Sequence, residues 1–265
     1  MRRLLLPLSL ATFVLACNGG SADLTDREIS DGELVAMMLP QADLGPAYAE
    51  LELDDESGFQ SNEDVVKDAN DKEDEAEDIE RYRRVTGYQE AFTSLEALSN
   101  WEGVFGIGTF VNLYEDADGA SGDLLDNVDD AKRAVGTTAY HVTLKDVEEF
   151  TLDGIGDESA RLIVTLSVTD DAYQSFYGTV VMFRRGRLIG AVLIVRGDEE
   201  DVREEVTELA HKLDERILAV LRGEIEPRAT PTPKLTGEPA PTPDRTGAAG
   251  MAPSAFLRAF ALALT

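Results

Sequence analysis

The chain has 265 residues, 43% of them hydrophobic, and a net charge of −28 from 24 Lys and Arg against 52 Asp and Glu. That length and apolar content suffice for one ordinary domain with a sizeable core. So acidic a surface is repelled by nucleic-acid phosphate and anionic lipid headgroups, which argues against nucleic acid as a partner and favours solubility or a basic partner.

The first sixteen residues divide into three parts. Arg2 and Arg3 give a positive start, Leu4 to Ala16 form a short apolar run, and Val14-Leu15-Ala16-Cys17 closes it. This is the layout of a secretory signal, too short for a stable transmembrane helix. The closing tetrapeptide resembles the bacterial lipobox, in which signal peptidase II cuts just before a Cys that carries diacylglycerol. Val14 and Leu15 depart from the family's usual Leu and small or polar residue; Ala16 and Cys17, the stricter positions, agree. The resemblance implies cleavage between Ala16 and Cys17, lipid attachment at Cys17, and an extracytoplasmic protein anchored to a bacterial membrane. Cys17 is the chain's single cysteine, so the processed protein is expected to carry neither free thiol nor disulfide, and its stability rests on its core.

The expected organisation is a signal peptide at 1–16, a lipidated tether at 17–29, a globular domain at 30–223, a Pro/Thr-rich linker at 224–250 and a short apolar segment at 251–265. Within the domain, Leu34, Val35, Met38 and Leu39 mark a short helix, capped by Ser30 or Asp31 and stopped before Pro40. Gln41 to Phe59 reads as irregular, with a turn at Gly45-Pro46. Ser61 to Arg84 is predicted to be one peripheral helix, opened by a capping box and closed by Arg81, Arg83 and Arg84 at its negative end. Between Glu50 and Glu80 there are 15 acidic residues and two lysines, which suits a mostly solvated helix.

Strands are expected at Tyr88 to Thr93 and at Val104 to Tyr114, the latter with Phe105, Ile107, Val111 and Leu113 on one face. A helix at Asp118 to Val135 should bury Leu124, Leu125, Val128, Ala131 and Val135. Further strands are expected at Val147 to Leu152 and at Arg161 to Val168, where Leu162, Val164, Leu166 and Val168 share a face. Phe176 to Phe183 and Leu188 to Val195 form a hairpin around Arg185-Gly186. Leu188 to Val195 is apolar on both faces and should be a central strand covered from both sides. The final helix, opened by Asp198 to Asp201, carries a stripe of Val202, Val206, Leu209, Leu213, Ile217, Val220 and Leu221. The implied fold class is α+β, a mainly antiparallel sheet with helices packed on it, flanked by a disordered N-terminal tether and a disordered C-terminal linker. Six of the ten prolines fall between Pro227 and Pro243. Met251 to Leu264 is apolar and too short to cross a bilayer; it reads as a frayed end, a terminal helix docked on the domain or a membrane surface, or a GPI-attachment signal.

Motifs for chemistry are sparse. There is no Gly-x-Ser-x-Gly elbow, no His-Glu-x-x-His and no phosphate-cradling loop. His141 and His211 are the available imidazoles, and neither has a companion motif. Asp116-Ala117-Asp118-Gly119 with Asp123, and Asp68-Ala69-Asn70-Asp71, carry oxygen ligands without the regular spacing of a calcium loop, and helix capping or a solvated acidic face accounts for them. The expectation is therefore a non-enzyme with no cofactor and no metal.

The segment Asp153-Gly154-Ile155-Gly156-Asp157-Glu158, the hairpin Phe183-Arg184-Arg185-Gly186-Arg187-Leu188 and the final helix together resemble bacterial lipoproteins and extracytoplasmic sensor-like domains of unassigned role. The resemblance covers residues 85 to 223 and implies no functional residue. Three functions stay open. The first is a sensory or binding lipoprotein holding a small or lipidic ligand, motivated by the two-faced apolar strand and by Gly106 and Gly108. The second is an acidic envelope protein that contacts protein partners. The third is a carboxylate-dependent hydrolase.

Overall fold

The computed structural model of the chain describes residues 22–55, 57–69, 71–100, 102–139, 142–150, 154–168 and 175–230. Ala16, Cys17, His141, most of the Pro/Thr-rich linker and the apolar C-terminal segment lie outside the described residues. In chain order the elements are α1 (Ala22–Thr25), α2 (Asp31–Met37), α3 (Gln41–Leu44), a 3-10 turn (Pro46–Tyr48), β1 (Glu52–Leu53), β2 (Gly58–Gln60), α4 (Asn62–Asp68) and α5 (Lys72–Tyr82). There follow β3 (Arg84–Thr93), α6 (Leu95–Asn100), β4 (Val104–Tyr114), α7 (Ala117–Arg133), β5 (Thr138–Ala139) and β6 (Val142–Glu149). The chain then forms β7 (Glu158–Val168), β8 (Ser175–Arg185), β9 (Leu188–Arg196) and α8 (Arg203–Leu221).

The strands form one antiparallel sheet in the order β1-β3-β4-β9-β8-β7-β6-β5, with β2 also paired to β3. The class is α+β, as the element pattern predicts. β9 occupies the middle because it can be buried from both sides. Every residue from Leu188 to Arg196 is buried. Leu188, Val192 and Ile194 join α2 and α8 in one core, whereas Ile189, Ala191, Leu193 and Val195 join α7 in the other. Alternation along a strand sends successive side chains to opposite faces, so one apolar run serves two cores. Each fully buried Leu, Ile or Val contributes roughly 1.5–3 kcal/mol, which makes this strand the energetic centre of the domain.

Local chemistry sets the element ends. Ser30 caps α2 in a reciprocal box with Glu33, whose Oε2 accepts from the Ser30 N–H at 2.9 Å. The hairpin between β8 and β9 turns at Gly186-Arg187, one residue later than predicted. Gly186 has φ 58°, and a Cβ there would lie 2.0 Å from Thr25 Oγ1. The first position of this two-residue turn needs positive φ, so the glycine fixes the register.

Several expectations are corrected. The segment expected as one helix from Ser61 to Arg84 is two helices and the start of a strand. Ala69 ends α4 in an extended conformation, and Asp71 opens α5 by accepting from the N–H groups of Glu73 and Asp74. Arg83 then closes α5 in the left-handed region at φ 55°, and Arg84 pairs with Tyr114 in the sheet. Phe105 points into the α7 core while Ile107, Val111 and Leu113 face α8, because the register shifts between Val104 and Gly106. On α7, Leu125 and Val135 are exposed; the buried stripe is Ala120, Leu124, Val128 and Ala131. The packed body also exceeds 30–223 at both ends. Thr25 is 1% exposed beneath the hairpin, Arg187 donates to the carbonyls of Thr25 and Arg27, and the Arg228 N–H donates to Gly32 O at 2.9 Å. Residues 24–29, predicted to be tether, belong to this body.

Candidate functional site at the acidic helical hairpin

The two described helices richest in carboxylates, α4 and α5, stand on the face of the sheet that α7 covers. Ser61 caps α4 in a box with Asp64, whose N–H donates to Ser61 Oγ at 3.1 Å. Glu63, Asp64, Glu73, Asp74 and Glu75 then fill the two first turns, where the positive ends of the helix dipoles favour them. No residue of α5 is buried. Glu73, Asp74, Glu77 and Glu80 are exposed, while Glu75, Ala76, Asp78, Ile79 and Tyr82 are half-buried. Between α4 and α5 runs an open groove of about 460 Å³, lined by the apolar Val66, Ala76 and Ile79 and by the charged Glu63, Lys67, Lys72 and Glu80.

An element that buries so little needs other attachments, and α5 has them at its C-terminal end. The Tyr82 hydroxyl donates to Asp126 Oδ2 on α7. Arg81 pairs with Asp78 at 2.8 Å and with Asp126 at 3.4 Å, and its guanidinium lies 5.5 Å from the Tyr82 ring centre. Gly119 and Gly122 make room for this approach. A Cβ on Gly119 would come within 2.1 Å of the Tyr82 carbonyl, and one on Gly122 within 2.6 Å of its ring. The small residues Gly119-Ala120-Ser121-Gly122 near the start of α7 therefore form a docking step for α5.

Beneath the hairpin lies Arg84. Its guanidinium donates to Gln60 O at 3.3 and 3.2 Å, to Asn62 Oδ1 at 2.7 Å and to Asn112 Oδ1 at 3.1 Å. Asn62 reciprocates by donating to Arg84 O at 2.8 Å, which ties the start of α4 to β3. All these acceptors are neutral, and no carboxylate among the described residues forms an ion pair with Arg84. Burial pulls its affinity for the proton below that of a free guanidinium, and Tyr114, Asp123 and Glu75 oppose the shift.

Two carboxyls share this pocket. Asp123 on α7 accepts from the Tyr114 hydroxyl at 2.5 Å and from Asn127 Nδ2 at 3.1 Å, yet burial pushes its pKa up to about 6. Glu75 on α5 is pushed up to about 7, first by burial and then by the charges of Asp123, Asp78 and Asp74. Asp78 is raised as well, again by burial. Burial thus favours the neutral form of all three carboxyls.

Elsewhere the predicted site residues separate. Asp116 caps α7 by accepting from the Gly119 N–H at 2.9 Å and pairs with Arg83, whereas Asp123 turns inward to Tyr114. Asp71 is spent on the cap of α5. Among the described residues, no three His, Cys, Asp or Glu side chains are grouped to hold a metal ion. His211 lies on α8, partly exposed. The space over β9 where a ligand was expected is filled by α8 on one face and α7 on the other. Among the described residues no helix is long and apolar enough to cross a membrane.

The three segments that carried the sensor-like resemblance meet in one corner. Asp157 Oδ2 accepts from the Gly186 N–H at 2.8 Å, and Asp157 Oδ1 accepts from Arg185 Nη1 at 3.1 Å. Arg185 Nε donates to Asp214 Oδ1 on α8 at 2.8 Å, and the Gly156 N–H reaches the same carboxylate at 3.2 Å. Asp214 is 6% exposed. This network locks the loop, hairpin and helix together. Asp214 gave no local signal, since a lone acid in an amphipathic helix looks like surface. The residues alone give Glu75 no role and make Arg84 a helix-end cation and Asp123 an oxygen ligand; the partners of Arg84, Asn62 and Asn112, lie far from it in sequence.

No family model matches the chain, and no curated protein matches it. Among solved structures, the crystal structure of the extracellular domain of PknH from Mycobacterium tuberculosis is similar over 73% of this chain and 98% of that one. The identity is 12% and the TM-score 0.46, a likeness that assigns no residue a role.

Proposed function

We propose that the protein is a non-catalytic, lipid-anchored extracytoplasmic sensor domain that recognises a basic, amphipathic segment of a protein partner along α4 and α5. The observation that carries this reading is that α5 buries none of its residues yet is clamped to α7. A helix that adds so little to the core, held in place at such cost in close contacts, is suited to present a surface. Its exposed Glu73, Asp74, Glu77 and Glu80 attract cationic side chains, and the apolar lining of Val66, Ala76 and Ile79 suits the apolar face of a partner helix. The anchor is the reading of Cys17 beside Ala16 in the sequence.

A synthetic Lys/Leu amphipathic helix, titrated by fluorescence anisotropy, tests the surface. Binding should weaken with salt and fall about tenfold or more in an Asp74→Asn, Glu77→Gln, Glu80→Gln variant, since each lost tenfold corresponds to about 1.4 kcal/mol. Equal binding by the parent and the neutralised variant would sink the proposal. The anchor is tested separately by mass spectrometry of the mature N-terminus; a Cys17→Ala chain should lack acyl mass and leave the membrane fraction.

The small-ligand alternative loses its motive at β9, where helices fill both faces. What supports a protein partner over a hydrolase is the placement of the buried acids. Asp123 Oδ2 is taken up by the Tyr114 hydroxyl and Asn127 Nδ2.

A further inference from the structure

We propose that the apolar C-terminal segment, residues 251–265, is a lipid-binding tail that turns one corner of the domain, where both chain ends leave the packed body, toward a membrane surface. The proposal holds whether or not Cys17 carries lipid, and it does not involve the basic partner.

The corner is built from described residues. Thr25 is 1% exposed beneath the β8–β9 hairpin, and Arg187 donates to Thr25 O at 2.6 Å, to Arg27 O at 2.7 Å and to Tyr114 O at 3.0 Å. Arg27 in turn donates to Leu221 O at 3.4 Å, at the end of α8, and pairs with Glu33 on α2. The chain leaving α8 returns to the same place. Ile225 packs against the core shared by α2 and α8, and the Arg228 N–H donates to Gly32 O at 2.9 Å. Gly32 permits this closeness, since a Cβ there would lie 2.8 Å from the Arg228 carbonyl oxygen. Entering and leaving segments are thus both tied to the first turn of α2, one through Glu33 and the other through Gly32.

The residues that follow suit a lipid surface. Met251 to Leu264 is apolar apart from Ser254 and Arg258, and includes Phe256, Leu257, Phe260, Leu262 and Leu264. Residues 229–265 carry Lys234, Arg245 and Arg258 against Glu238 and Asp244, whereas the whole chain stands at −28. A membrane surface that repels the acidic body does not repel this stretch, and lipid takes its apolar side chains out of water. The body is a poorer seat. Among the described residues the exposed large apolar side chains are Leu53, Val85, Leu125 and Val135, spread over β1, β3, α7 and the turn after it. The α4–α5 groove mixes its apolar lining with Glu63, Lys67, Lys72 and Glu80.

Reach is sufficient at both ends. Residues 229–250 span up to about 70 Å when extended, and Cys17 to Leu24 up to about 25 Å. Both attach at the hairpin end of a sheet whose central strand, Leu188–Arg196, is about 25 Å long. The far end of that strand, where Gly103 O accepts from the Gly197 N–H at 3.0 Å, therefore points away from the lipid.

The test uses the mature chain, residues 17–265, which holds every described residue and is made with Cys17→Ser so that no lipid is attached. It should sediment with neutral phosphatidylcholine vesicles. Phe256→Asp with Phe260→Asp should lower that partitioning about tenfold or more, because two large apolar side chains no longer enter lipid. The unfolding midpoint in urea should not move. A single cysteine, introduced as Glu224→Cys beside the corner or as Glu102→Cys at the far end, then carries a fluorescent donor for a headgroup-labelled acceptor lipid. Energy transfer should be stronger from the first. No sedimentation with vesicles, sedimentation that survives the two Asp substitutions, or equal transfer from both sites overturns the proposal. A tail seated on the domain instead gives the first of these outcomes, together with a lowered midpoint in the substituted chain. Acylation of Cys17 is read separately, from the mass of the unmodified chain, and its absence would leave these outcomes as they are.

Discussion

The Tyr114 hydroxyl donates to Asp123 Oδ2 at 2.5 Å, and Tyr114 is wholly shielded from solvent. This bond joins the last residue of β4 to the middle of α7 and places a carboxylate beneath the acidic hairpin. Burial drives both groups toward their neutral forms, Tyr114 most of all. The hydrogen bond favours ionised Asp123 and opposes that drive.

Tyr114→Phe should therefore cost about 1–3 kcal/mol of stability, the penalty for a buried acceptor that loses its donor. Without that bond, Asp123 should bind its proton more tightly still. Urea unfolding gives the first quantity, and a carboxyl chemical-shift titration of Asp123 gives the second.

Gly119→Ala and Gly122→Ala should differ. The added Cβ at 119 meets a backbone carbonyl, which cannot move without moving the end of α5; at 122 it meets the Tyr82 ring, which can rotate. Overpacking against backbone should cost about 1–3 kcal/mol at 119 and less at 122. Thermal unfolding of the two variants side by side checks the order.

On α8, which packs on the other face of the sheet from α7, Asp214 pairs with Arg185, and the two side chains are 8% and 15% exposed. Removing either partner should cost about 3–5 kcal/mol, because the other is left charged and enclosed. The double variant Arg185→Met, Asp214→Leu should lose less than the sum of the single truncations. A double-mutant cycle by denaturant unfolding measures the difference; strict additivity would refute the coupling.

Stability should pass through a maximum near pH 5. Glu33 beside Arg27, Glu158 beside Ser121 and Arg184, and Asp198 beside Arg196 all have lowered pKa values. Their contribution is complete above the unfolded carboxylate range, about 4, and is lost as pH falls through their folded values. Glu75 and Asp123 are raised to about 7 and about 6, so their contribution is lost as pH rises from about 4 through those values. Urea unfolding from pH 3 to pH 8 checks the profile, and Glu75→Gln should flatten its upper limb.

Much of the fold was legible in the residues themselves. The stripe from Val202 to Leu221, the two-faced run from Leu188 to Val195 and the turn at Gly186 are local patterns, and a helix or strand must follow its own periodicity wherever it packs. The helix break after Ala69 was less legible. Charged residues on both sides fit a solvated helix, and the decision rests on Asp71 capping a second one. Arg84 read as a helix-terminal cation, yet its register with Tyr114 and its bonds to Asn62 and Asn112 make it part of the sheet. What only the tertiary structure decided is the placement of β9 beside β4, the enclosure of Arg84 by Gln60, Asn62 and Asn112, and the bond from Tyr114 to Asp123. The proton affinities of these groups come from desolvation and from neighbours distant in sequence, and neither exists until the sheet and α7 have closed around them.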